Sequence, residues 1–94
     1  MQLILIGKEK KVTKTKEPFY ELWFEYPDGS KKVRYWVWSF VHNNINQLTQ
    51  VWDAVEDSKI GTLYNLQLRK AVISNKTQLI VTVLEDANKP ITYL

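Results

Sequence analysis

Two aromatic-rich runs flank Pro27-Asp28-Gly29-Ser30, and residue parity alone solves how they pair. Strand side chains point alternately to opposite faces, so residues 19 to 26 and 32 to 38 must pair with their apolar positions coincident. A connection of two or four residues centred on Asp28-Gly29 sets Tyr26 opposite Lys31, Phe24 opposite Val33, Leu22 opposite Tyr35 and Tyr20 opposite Val37. The reverse face then carries Glu25 against Lys32, Trp23 against Arg34, Glu21 against Trp36 and Phe19 against Trp38. A three-residue loop would instead bury Lys32 and Arg34 beside Phe24 and Leu22 without partners, which is costly. The even loop is therefore expected, and Asp-Gly is a favoured centre for a tight hairpin turn.

The hairpin thus has one oily face and one face that mixes aromatic rings with cations. Flat rings among positive charges suit the stacking of unpaired bases with neutralisation of phosphates. The same tryptophans suit packing against another element or a second subunit. On the first reading Trp23, Trp36 and Trp38 point outward, and Trp36 and Trp38 are dispensable for folding.

At 94 residues the chain has room for one domain, 1–94, and for no separate catalytic module. Its 45% hydrophobic and 24% charged residues are ordinary, whereas four tryptophans within a 13% aromatic content call for an explanation. Cysteine is absent, which excludes disulfides and thiolate metal sites. The opening MQLILIG meets Lys8 too soon for a signal-peptide core or a membrane span, so a cytoplasmic location is expected. The net charge of +3 is a modest bias, but its placement is informative. Residues 1 to 42 hold eight of the thirteen Lys and Arg against five acids, and residues 43 to 94 hold five against five. Five of those lysines fall between Lys8 and Lys16, a run that reads either as a solvated loop or as part of a binding surface.

Gln2 to Val12 reads as a first strand, with Gly7 permitting a bulge or strong bend. The hairpin supplies the second and third strands. From Asn44 to Glu56 the spacing turns helical, with Val41, Ile45, Leu48, Trp52 and Val55 on one stripe and Asn43 or Asn44 as a cap. Thr62 to Ile73 is extended again, with Tyr64, Leu66 and Leu68 on one side. Ser74-Asn75-Lys76 makes a turn into a fifth strand, Thr77 to Leu84, in which Leu79, Val81 and Val83 alternate with Gln78, Ile80 and Thr82. The tail from Glu85 ends in Ile91, Tyr93 and Leu94.

The fold expected is all-β with one helix, in the order β-β-β-α-β-β. This order resembles the oligonucleotide/oligosaccharide-binding (OB) fold, a five-stranded Greek-key barrel with its helix between strands three and four. Within that fold the chain is similar to single-stranded DNA-binding proteins of the bacterial, phage and plasmid kind. Val12-Thr13-Lys14-Thr15-Lys16-Glu17-Pro18-Phe19-Tyr20-Glu21-Leu22 looks like their basic, Thr-containing first connection running into an aromatic second strand. The chain departs from the cellular type in having no Gly/Gln-rich linker and no acidic tip, so recruitment of repair partners through such a tail is not expected. Its Lys, Asn and Ile usage fits an AT-rich phage or plasmid genome, and the resemblance implies a role in DNA replication.

The resemblance implies that the outer face of strands two and three is the ligand face, framed by the loops joining strands one to two and four to five. Lys10, Lys11, Lys14 and Lys16 would then flank Trp23, Arg34, Trp36 and Trp38, with Lys32 beyond and Lys76 on the opposite loop. Arg34 beside Trp23 is expected to prop that ring. The partner implied is single-stranded DNA, with RNA also compatible, and a homodimer could cover part of the tryptophan face. Glu21 and Glu25 on the same face repel phosphate and favour the other reading, a protein-interaction or assembly module. Phe40 is expected to close the barrel end. Enzymatic chemistry has no footing: His42 is the single histidine with no nucleophile or acid at a recognisable spacing, and no phosphate loop, cofactor motif or metal-ligand spacing is present.

Overall fold

A computed structural model describes residues 1–39, 45–73 and 75–88. Five strands, β1 (Gln2–Val12), β2 (Pro18–Glu25), β3 (Lys32–Trp38), β4 (Leu63–Ile73) and β5 (Lys76–Asp86), close into a barrel in the order β1-β2-β3-β5-β4. One helix among the described residues, α1 (Ile45–Asp57), lies between β3 and β4. This is an OB-fold-like all-β barrel with a single helix among the described residues. No helix among the described residues is long and apolar enough to cross a membrane. The expectations placed on Phe40, Val41, His42, Asn43, Asn44, Ser74 and the tail beyond Asn88 lie outside the described residues.

The β2–β3 pairing has the register that parity dictates, from Phe19↔Trp38 through Trp23↔Arg34 to Glu25↔Lys32. The turn closes with Tyr26 N–H donating to the Lys31 carbonyl at 2.9 Å and Gly29 N–H to the Tyr26 carbonyl at 2.8 Å. Gly29 has φ 76°, in the left-handed region where a side chain is strained. The Ser30 hydroxyl and N–H both hold the Asp28 carboxyl below its usual range.

Gly7 marks the bend in β1. The β1–β2 register shifts between Leu5 and Gly7, so Ile6 is the extra residue. Before the bulge β1 also pairs with β4, at Gln2↔Asn65 to Ile4↔Leu63, and this closes the barrel. Inside lie Leu5, Leu22, Phe24, Val37 and Val81, all fully buried, and Val51 and Val55 of α1 join them. The helical stripe thus includes Val51, three residues after Leu48, as well as Trp52 four residues after it.

A second cluster forms on the outside of the barrel. Trp38, Ile73 and Ile80 are buried there, with Phe19, Trp36 and Ala71 packed against them. It arises because the β4–β5 hairpin runs on to Ile73↔Lys76 and lays one face against the end of the β2–β3 hairpin, with Ile80 beside Trp36 in a parallel pair. The simple alternation expected in β5 is broken. A register shift at Gln67/Leu68 leaves Thr82 unpaired opposite them, its hydroxyl donating to the Gln67 carbonyl. Val81 and Leu84 therefore face the interior, Ile80 faces the outer cluster, and Leu79 is exposed.

The helix ends on a borrowed cation. Its last turn contains no basic residue. Lys8 Nζ from β1 instead donates among the carbonyls of Val55 (3.0 Å), Glu56 (3.1 Å) and Ser58 (2.8 Å) and the Ser58 hydroxyl (3.2 Å). These are the orphan acceptors and the negative dipole end of a helix, where an ammonium stabilises. Lys8→Met should lower unfolding free energy by about 2 kcal/mol, the scale of a hydrogen bond to a charged group. Urea denaturation checks this, and an unchanged midpoint would show the cap to be idle.

Candidate nucleic-acid interface

The outer face of β2 and β3 presents Phe19, Glu21, Trp23 and Glu25 across from Trp38, Trp36, Arg34 and Lys32. Trp23 is half-buried because its ring rests on the backbone of Gly7: a Cβ there would sit 3.4 Å from Trp23 Cε3. Glycine at the bulge is thus the seat of the indole, a close approach that any longer side chain would obstruct. Trp36 is likewise half-buried, its inner edge against the outer cluster. Trp23 and Trp36 are diagonal neighbours across the strand pair, a separation of about 7 to 8 Å. Each ring can accept its own base.

Arg34 is exposed and lies over Trp36, its guanidinium carbon 4.9 Å from the ring centroid, rather than over its cross-strand partner Trp23 as expected. A base arriving there can stack on the guanidinium plane, or displace it toward a phosphate. Lys32 is exposed at the turn end of the same face.

Trp38 is not part of an open surface. Only 7% of it is exposed; it stacks on Phe19 with centroids 4.4 Å apart and planes 21° apart, and Ile73 and Ile80 share its cluster. Its Nε1–H donates to Gln78 Oε1 at 3.0 Å. Parity correctly places Trp38 on the outer face, but the β4–β5 arm covers that end, so its expected role as a stacking platform is withdrawn. The arm covers this apolar surface from within one chain.

The lysine run divides among several environments instead of forming one patch. The extra residue at the bulge gives Lys8 and Lys10 the parity of the interior-facing side chains, with Lys10 opposite Tyr20. Lys10 Nζ sits 5.8 Å from the ring centroids of both Tyr20 and Trp52 and lines a groove with Leu48 and Asp53 of α1. It belongs to the helix side of the barrel, which removes it from the proposed interface. Burial, with the nearby Glu56 charge adding to it, raises the Tyr20 hydroxyl above its usual range and keeps that ring neutral.

Lys11 has outer parity and pairs with Glu21 at 3.3 Å and, more loosely, with Glu9 at 3.9 Å. It offsets the Glu21 charge that had argued against phosphate. Lys14 and Lys16 are exposed on the five-residue loop 13–17, which adjoins the Phe19–Trp38 end of the face. That loop is ordered by Thr13 N–H donating to the Glu17 carbonyl and Lys16 N–H to the Thr13 carbonyl, both at 2.9 Å. Lys76 is exposed beside the tip of the arm. The face therefore keeps Lys11, Lys14, Lys16, Trp23, Lys32, Arg34, Trp36 and Lys76.

Comparison of the chain with family profiles, curated proteins and solved structures found no match.

Proposed function

We propose that this chain is a non-enzymatic binder of single-stranded nucleic acid, DNA foremost, acting in replication-type transactions where duplexes are opened. Trp23 and Trp36 stack bases, and Arg34, Lys32, Lys14, Lys16 and Lys76 neutralise phosphates. The observation that carries this reading is the partial exposure of two indoles on one barrel face, one seated on Gly7 and one carrying an arginine, with cations at both ends.

Each stacked base contributes about 1 to 3 kcal/mol largely regardless of its identity, and the cations add affinity that falls as salt rises. A rigid duplex hides its base faces, so the face favours single strands. The Lys11–Glu21 pair supports the same reading, because the acid most central to the face is already neutralised.

A gel shift with single- and double-stranded probes at two salt concentrations tests the proposal. Retardation of the single strand, relieved by salt, is expected; no retardation, or equal retardation of both probes, contradicts it. Lys14→Gln with Lys16→Gln should reduce the slope of log affinity against log salt by up to about 1.4, at about 0.7 per phosphate contact on a single strand. Base preference should not change. An unchanged slope would take loop 13–17 out of the site.

A further inference from the structure

We infer that Gln78 reads base edges at this face, favouring bases that present a carbonyl oxygen over adenine; the inference rests on the nucleic-acid reading above. An indole N–H is donor-only, so the contact with Trp38 Nε1 at 3.0 Å requires the oxygen of the Gln78 amide to face it. That settles the orientation of the whole amide. The nitrogen, with its two N–H donors, is what Gln78 offers to a ligand.

Gln78 is half-buried and stands two residues before Ile80, so both side chains leave the same face of β5. Ile80 is paired with Trp36. Gln78 therefore lies about 7 Å along the strand from the residue flanking the stacking ring, within reach of the edge of a base on Trp36.

A free glutamine recognises adenine by a two-pronged contact, donating to N7 while accepting from the N6 amino group. Here the oxygen is turned inward onto the buried Trp38 indole, which holds the amide out of the two-pronged adenine geometry. The N–H₂ end is the one presented outward, matched to thymine or uracil O4 and guanine O6 rather than to an amino group. Trp38, taken out of the stacking surface by the arm, thereby acquires a part in specificity as the positioning residue for Gln78. Sequence-blind stacking and phosphate contacts still dominate affinity, and the amide adds a modest preference.

The test is the ratio of affinities for oligo-dT and oligo-dA of equal length, because the stacking of dA upon itself affects every variant alike. Gln78→Met removes the donors. Gln78→Glu removes them while still accepting from the Trp38 indole, so the cluster is retained even if the methionine variant is destabilised. Each should lower the dT/dA ratio roughly two- to ten-fold, the range for one neutral hydrogen bond. Trp38→Phe keeps the ring and releases the amide oxygen, and should lower the ratio by raising dA affinity. Ratios unchanged in both Gln78 variants, with the parent still binding oligo-dT, overturn this inference alone. A parent that binds neither oligomer overturns the nucleic-acid reading with it.

Discussion

Trp38→Ala is expected to destabilise the fold by about 3 kcal/mol, the lower end for emptying a buried aromatic site. The ring is 7% exposed, stacks on Phe19, and stands beside Ile73 and Ile80 where the β4–β5 arm meets the barrel. Its loss leaves Phe19 unstacked, Gln78 Oε1 without its donor and the arm without its main anchor. For a domain of this size each kcal/mol shifts the melting temperature by roughly 4 to 8 °C, so a fall of about 12 to 24 °C should be seen by calorimetry or far-ultraviolet melting. Trp38→Phe should recover most of it. A melting temperature within a degree or two of the parent would mean that the arm does not rest on this ring.

Trp36→Ala should show the opposite division of effects. Trp36 lies at the rim of the cluster, with Arg34 over its outer side, so its removal should lower the melting temperature much less than that of Trp38. Affinity for oligo-dT should instead drop by about 1 to 3 kcal/mol, roughly five- to a hundred-and-fifty-fold, because the ring and the seat of Arg34 are lost together. Fluorescence titration of the folded variant measures this. Unchanged affinity would make Trp36 a packing residue only.

The contrast between these two residues shows what the chain disclosed in advance. Hairpin register was fully legible, because period-two parity and an Asp-Gly turn admit one pairing that buries no lone cation, and the observed partners are those. The order of elements along the chain was legible from the switch between periods of two and of three to four. The bend at Gly7 was legible because glycine interrupted an apolar strand. The fate of Trp38 was not, since parity tells which face a side chain leaves from and is silent about a later element folding over that face. The arm's own signal, Ala71, Ile73, Gln78 and Ile80 on one side, was disguised by the extra residue at Thr82, which resets the phase of β5.

The lysine run failed for a related reason. Counting charges treated Lys8 to Lys16 as one object, whereas the bulge sets Lys8 and Lys10 to the helix side and leaves Lys11 outside. Lys8 in particular had a visible clue: α1 lacks a cation in its last turn, and a barrel that packs a helix over β1 can supply one across 47 residues of sequence.

The central claim is that a single strand stacks on Trp23 and Trp36 and not on Trp38 or Trp52. The four indole N–H resonances of the isotope-labelled protein report this directly during titration with oligo-dT at low salt. The signals of Trp23 and Trp36 should move most with saturation and return on adding salt, that of Trp38 should follow only to the smaller extent that its acceptor Gln78 is engaged, and that of Trp52, beside Lys10 on the helix side, should stay within a small fraction of the shift. Movement confined to Trp52 or Trp38, or no movement of any indole at saturating oligonucleotide, would contradict it.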